Sequence, residues 1–442
     1  MTHPSSVYAM RSFVSTIPGI GCMVLMLCAC TRAPLPETSV ESHTDAFTQP
    51  TPLGLPVAEE ASQPDLQVTP GGGLLVSWLE PSAGGGHRLR LSLGSPRAGT
   101  GDAWQPPVTV AEGKDWFVNW ADTPHIYALK DGSLWGHWLR RSGDGPMDYG
   151  IAMARSGDGG RSWSPSAPVH PGGTPGDHGF VTFWPQGDDR LGIAWLDSRQ
   201  KAAAMAAGAP APAHDAHDHG GGAPMMLRAA LHGADGAQQA EWPLDASTCD
   251  CCTTSSAMTD RGVVVVYRGR DAKEIRDTRL VRFDGQRWSA PRDVHADGWK
   301  IAGCPVNGPV AAARGDTVWV AWYTEADGLP ELRAARSDDA GDRFAAPVTI
   351  ARGEQVLGRV AIALAGEHVL LAWLEQDDGG QRLVLGRYDP ALQSPRLTEV
   401  ARLAARGRAS GLPRLAANQK RAWLVWTDTA DGRPLLKGAL VR

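Results

Sequence analysis

Four cysteines and three histidines carry the chemistry that this sequence could perform. Cys249, Cys251 and Cys252 sit in one run, CDCC, and Cys304 follows in GCPVNGP. Upstream, the segment HDAHDHGGGAPMM supplies His214, His217 and His219 beside Asp215, Asp218, Met225 and Met226. Thiolate, thioether and imidazole are soft or borderline ligands, which favour Zn²⁺ and Cu⁺ over hard cations. The run lacks the separated CxxC pairs of a zinc ribbon and the CxxCH of haem attachment. In an oxidising compartment an even set of thiols forms disulfides by default. A bond between the neighbours Cys251 and Cys252 would be strained, so Cys304 bridging back to the run is the expected pairing. Two readings stay open: a disulfide to Cys304, or a Zn or Cu ion held by Cys249, Cys251, Cys252, Cys304 and the three histidines.

The count of four assumes export. Arg11 leads into an apolar stretch from Phe13 to Ala29, too short and too broken by Pro18 and Gly19 for a membrane span. It reads as a signal peptide over residues 1–29. Its end, Leu27-Cys28-Ala29-Cys30, resembles a bacterial lipobox, which implies lipidation of Cys30 and membrane attachment. Cys22 and Cys28 then leave with the signal and Cys30 is acylated, so 7 − 3 = 4 thiols remain. Thr31 stands where that resemblance would place an inner-membrane retention Asp, which implies the outer membrane if the host is Gram-negative. Residues 30–60, rich in Pro, Thr, Ser and Glu, read as a flexible tether.

Residues 61–442 must position the cysteines, and one repeat accounts for them. An apolar strand, a turn bearing Gly or Asp, and a second strand ending in an aromatic residue recur as in QVTPGGGLLVSWLE and PVAAARGDTVWVAWY. The closing aromatics are Trp78, Trp138, Trp195, Tyr267, Trp322, Trp373 and Trp426, spaced by 51 to 72 residues. That period fits one four-stranded blade each, so the expectation is an all-β, seven-bladed β-propeller forming a single domain. Composition agrees, with 52 Gly, 33 Pro and 17 Trp for many short strands and turns. A net charge of −5 argues against a nucleic-acid partner. After Trp426 only PLLKGALV remains, one strand too few, so a segment around Leu53 to Ala58 is expected to close the ring. The widest spacing lies between Trp195 and Tyr267, and its excess is the histidine loop. Topology puts that loop on the same face as the connections carrying Cys249–Cys252 and Cys304.

Two turns share a further pattern. SGDGGRSW places Ser156, Asp158, Gly160 and Trp163 at the spacing S-x-D-x-G-x-x-W, and SDDAGDRF places Ser337, Asp339, Gly341 and Phe344 likewise. The pattern resembles the Asp-box, or BNR repeat, of the sialidase-like propeller superfamily, where it is a structural turn. Sialidases themselves have six blades, so a six-bladed ring is the alternative expectation. The resemblance implies an arginine triad clamping a substrate carboxylate, a Tyr nucleophile with a Glu partner, and an Asp acid/base. Where the first arginine would enter, this chain reads VAEEASQPDLQV, and no triad transfers residue by residue. Asp122, Tyr323 and Glu325 are the candidates for acid, nucleophile and partner. Two functions follow as expectations. One is a noncatalytic envelope lipoprotein whose Cys/His face binds a metal, an envelope protein or a glycan; the other is a sialidase-like exo-glycoside hydrolase with a divergent site.

Overall fold

The computed structural model describes residues 47–95, 104–171, 174–207 and 223–442. The segments 1–46, with the expected signal, Cys30 and the first part of the expected tether, and 208–222, with His214, His217 and His219, lie outside these. The described residues form seven four-stranded antiparallel sheets, so the chain is a seven-bladed β-propeller. Blades 1 to 6 are each continuous in sequence: 62–113, 125–168, 178–248, 255–293, 310–352 and 356–403. Blade 7 takes three strands from Arg414–Val441 and its outer strand from Thr51–Pro52.

Each second strand reads as an apolar run because it is packed on both sides. In Leu74–Pro81 every residue except the last is buried. The seven closing aromatics all fall within the core, none more than 5% exposed. Seven hydrophobic clusters result, one at each seam between neighbouring blades. In blades 1, 3 and 6 the buried indole donates to an acid two residues on. Trp78 reaches Glu80, Trp195 reaches Asp197 and Trp373 reaches Glu375, each at 2.8 Å. These bonds satisfy a ring N–H that burial would otherwise leave without a partner.

The two S-x-D-x-G turns fold alike. The Gly160 and Gly341 N–H groups donate to the Ser156 and Ser337 hydroxyls at 2.8 and 2.9 Å, and those hydroxyls donate to Asp158 and Asp339 at 2.8 Å. The carboxylates accept from the Ser162 and Arg343 N–H groups at 2.9 and 2.8 Å. Gly160 and Gly341 take φ of 90° and 83°, where a side chain would be strained. Trp163 and Phe344 are half-buried against the adjoining seams.

The ring closes two residues before the expected segment. Thr51 and Pro52 pair with Leu440 and Ala439, the Leu53 N–H donates to Gly438 O at 2.9 Å, and Leu53 is buried. The terminal blade thus gains its fourth strand from the other end of the chain.

Candidate functional site

Two connections between blades meet to build the site. The first follows strand Gln238–Thr248 of blade 3 and carries Cys249–Cys252; the second joins blades 4 and 5 and carries Cys304. They touch at Gly308, where an added Cβ would stand 2.1 Å from Thr253 O, so only glycine permits the approach. Cys251 and Cys304 are joined as a disulfide with their Cα atoms 5.9 Å apart, as expected for the bridge back from Cys304. Cys249 and Cys252 remain free and are fully buried, whereas the disulfide is partly exposed.

The sulfurs crowd together. Cys249 Sγ lies 3.7 Å from Cys252 Sγ and 3.8 Å from Cys251 Sγ. The Arg276 guanidinium, wholly buried, donates to Cys249 Sγ at 3.3 Å and to Glu274 at 2.8 Å. The Cys252 thiol bonding to Cys249, with Arg276 and Arg268 beside it, holds Cys249 at about 6 against an ordinary 9.0. Burial pushes the Cys252 thiol well up, and the neighbouring Cys249 adds to it. Arg268 braces the far side, donating to the carbonyls of Asn307, Arg276 and Tyr323.

The histidine insertion starts and ends at this place. Its described base is a helix, Arg199–Ala206, whose Lys201 Nζ lies 3.4 Å from Asp250 inside the cysteine run. Its far end returns at Met225, paired with Thr248 immediately before Cys249. Both ends of the insertion therefore sit beside the cysteines, on one face.

The candidate hydrolytic residues are not gathered. Asp122 is buried and accepts from the Phe180 N–H at 2.8 Å and the Tyr149 hydroxyl at 3.3 Å, in blades 3 and 2. Burial pushes its carboxyl up to about 7. Tyr323 donates to Glu325, but both belong to blade 5. Asn307 explains Asp122. Each stands three residues before the first strand of its blade, and each captures the N–H of a left-handed residue in the next blade's first strand. Those residues are Phe180 at φ 55° and Arg359 at φ 53°, the latter bonded to Asn307 Oδ1 at 2.7 Å. An amide does in one place what the carboxylate does in the other.

Trp116 and Trp299, in the connections, are buried; Trp116 stacks on Trp138 and Trp299 lies beneath Arg268. Trp120 is half-buried under the Arg359 guanidinium at 4.7 Å. A polar cavity of about 180 Å³ opens nearby, lined by Asp65, His125, Asn307, Arg359 and Arg414. Asp65 is held at about 2 by His125 and Arg414 against the opposing effect of its burial. Arg359 has no carboxylate partner among the described residues, and burial with nearby Arg408 lowers it to about 10.

Sequence reasoning missed Arg276 as the partner of Cys249, and Asn307 as the counterpart of Asp122. Arg276 had only its place near strand ends as a signal, and Asn307 only its position three residues before a strand.

No family model matches the chain, and no curated protein matches it in sequence. Solved structures share the fold. A protein of unknown function from Dyadobacter fermentans is 14% identical, covering 90% of this chain and 99% of its own at a TM-score of 0.52. An ulvan lyase, from a new family of polysaccharide lyases and bound to -[GlcA(1-4)Rha3S]-, is 11% identical, covering 88% and 95% at 0.52. The NanB sialidase from Streptococcus pneumoniae is also 11% identical, covering 88% of this chain and 70% of its own at 0.45.

Proposed function

We propose that this chain is a lipid-anchored, noncatalytic propeller of the cell envelope that binds a soft metal ion, Cu⁺ or Zn²⁺, at its cysteine-bearing face. The observation that carries this reading is the spacing of the sulfurs, at 3.7 and 3.8 Å from Cys249. Two thiolates on one tetrahedral ion, at metal–sulfur bonds of about 2.3 Å, stand about 3.8 Å apart. Cys249 and Cys252 are free as they stand, and reduction of the bridge would add Cys251 and Cys304. Arg276 and Arg268 offset the thiolate charge. His214, His217 and His219, on the insertion that starts and ends beside the cysteines, would capture the ion and pass it inward. Acylated Cys30 would hold the ring at the membrane, each buried CH₂ contributing about 0.8 kcal/mol.

Metal content and free thiols of the purified protein, counted before and after reduction, test the proposal. One ion per reduced chain is expected. Cys252→Ser should weaken binding by more than the roughly 10–100-fold that loss of a mere outer-shell partner costs, and deletion of His214–His219 should weaken it much less. Reduced protein with four titratable thiols and no bound ion would overturn it. A Cys30→Ser chain is expected to leave the membrane fraction, and an unmodified N-terminus at another residue would refute the anchor.

Arg359 and Arg414 in the polar cavity favour one second reading, an exo-glycoside hydrolase of sialidase type taking an anionic sugar. Against it stands the separation of Asp122 from Tyr323 and Glu325 by contact and blade. Turnover of a fluorogenic sialoside is expected to be weak or absent. Rates on the order of 1–10³ per second would establish the second reading instead.

A further inference from the structure

Two thiols lie where no bulky molecule can reach them. Cys249 and Cys252 are 0% and 1% exposed, yet they form a C-x-x-C pair and stand against a disulfide whose two residues are partly exposed. We infer that the four cysteines form a relay that reduces an external disulfide, with Cys249 and Cys252 as the electron source and the Cys251–Cys304 bond as the port. The reading is independent of ion binding, which concerns the same sulfurs but needs no exchange among them.

Cys249 is placed to begin. Its Sγ is 3.8 Å from that of Cys251, within reach of the bridge, and the Arg276 guanidinium donates to it at 3.3 Å; exchange proceeds by attack of a thiolate on a disulfide sulfur. Attack of the Cys249 thiolate on Cys251 Sγ forms a bond between them and breaks the bond to Cys304, which leaves as a thiolate. Cys304 attacks an external disulfide R–S–S–R, forming Cys304–S–S–R and releasing one R–S⁻. Cys252, at 3.7 Å from Cys249, then attacks Cys249 Sγ as its own proton passes to solvent, and Cys251 departs as a thiolate. Cys251 finally attacks Cys304 Sγ, restoring the original bridge and releasing the second R–S⁻. In sum, two buried thiols become a disulfide, one external disulfide becomes two thiols, and the two protons lost by Cys249 and Cys252 balance the two thiolates released.

The alternative is that the buried pair only fills space. Cys252→Ser distinguishes them and keeps the Cys251–Cys304 bridge. Folded protein, held in chelator so that ion binding plays no part, is mixed with excess 5,5′-dithiobis(2-nitrobenzoate), quenched in acid and mapped by mass. The native chain should release two thionitrobenzoates and carry Cys249–Cys252 and Cys251–Cys304 bonds. The Cys252→Ser chain should release one and stop with the aryl adduct on Cys304 and a Cys249–Cys251 bond. An adduct on Cys249 would show direct entry of the reagent and overturn the relay. So would a folded native chain that releases none. A chain that binds no ion but gives this pattern would sink the metal reading and leave the relay standing.

Discussion

Asp122 and Asn307 hold equivalent places in two blades, and the comparison assigns Asp122 to bracing the fold. Its carboxyl sits near 7 because burial disfavours the charge. Between pH 4 and 7 the unfolded chain has released this proton while the folded chain still holds it, so this group makes stability fall as pH rises through that window. Below about pH 4 both states are protonated and the effect vanishes. Asp122→Asn should therefore remove this group's share of the slope and stabilise the protein above pH 7, by at most about 4 kcal/mol. Urea unfolding at pH 4 and pH 8 measures it, and a variant less stable than the native chain at pH 8 would contradict the assignment. Cys304→Ser should act in the opposite direction. A bridge closing 53 residues restricts the unfolded chain by about 4 kcal/mol in the chain-entropy account, and the urea midpoint should fall accordingly. An unchanged midpoint would show that the bridge contributes no stability. The cysteine run was legible as a centre of chemistry, and so was a bridge back from Cys304, but which cysteine of the run it joins was not. Three cysteines of the run could each take the bridge, and the choice of Cys251 follows from how the folded connections meet, with Cys249 and Cys252 buried behind it.

At the scale of elements, the repeat was legible because burial on both sides of each second strand imposes an apolar run ending in an aromatic. Seven such runs give seven blades. The bulges that begin the first strands of blades 1, 3 and 6 were not legible. They turn on left-handed Gln63, Phe180 and Arg359, residue types that do not announce such a conformation. Their stability comes from distant side chains: Thr427, Asp122 and Asn307 accept the three N–H groups. The S-x-D-x-G turns are the reverse case, since their bonds lie within eight residues. Asp339→Ala removes bonds to Ser337 and Arg343 and should cost about 1–2 kcal/mol by thermal unfolding without altering thiol reactivity. A change in thiol reactivity at equal stability would mean that this turn, between strands Glu331–Ser337 and Val348–Arg352, communicates with the connections that carry the cysteines.

Over the whole molecule, stability is distributed among seven seams, one of which depends on the N-terminal strand. Leu53 is buried in the seam between blades 7 and 1, and Leu53→Ala should cost about 2–5 kcal/mol, read from the unfolding midpoint. A loss below about 0.5 kcal/mol would show that the closing strand adds little. That strand also sets an order of events in time. The Thr51 hydroxyl bonds the Leu440 carbonyl, 389 residues away, so the first described strand cannot find its place until residue 440 has been made. Blades 1 to 6 are local and can form as the chain emerges, but the seventh waits, with the strand Arg433–Val441 presenting an open edge in the interval. Such a ring is therefore most open to pairing with a neighbouring copy between the making of Arg433–Val441 and the docking of Thr51–Pro52, and a variant that slows this docking would lengthen the exposure.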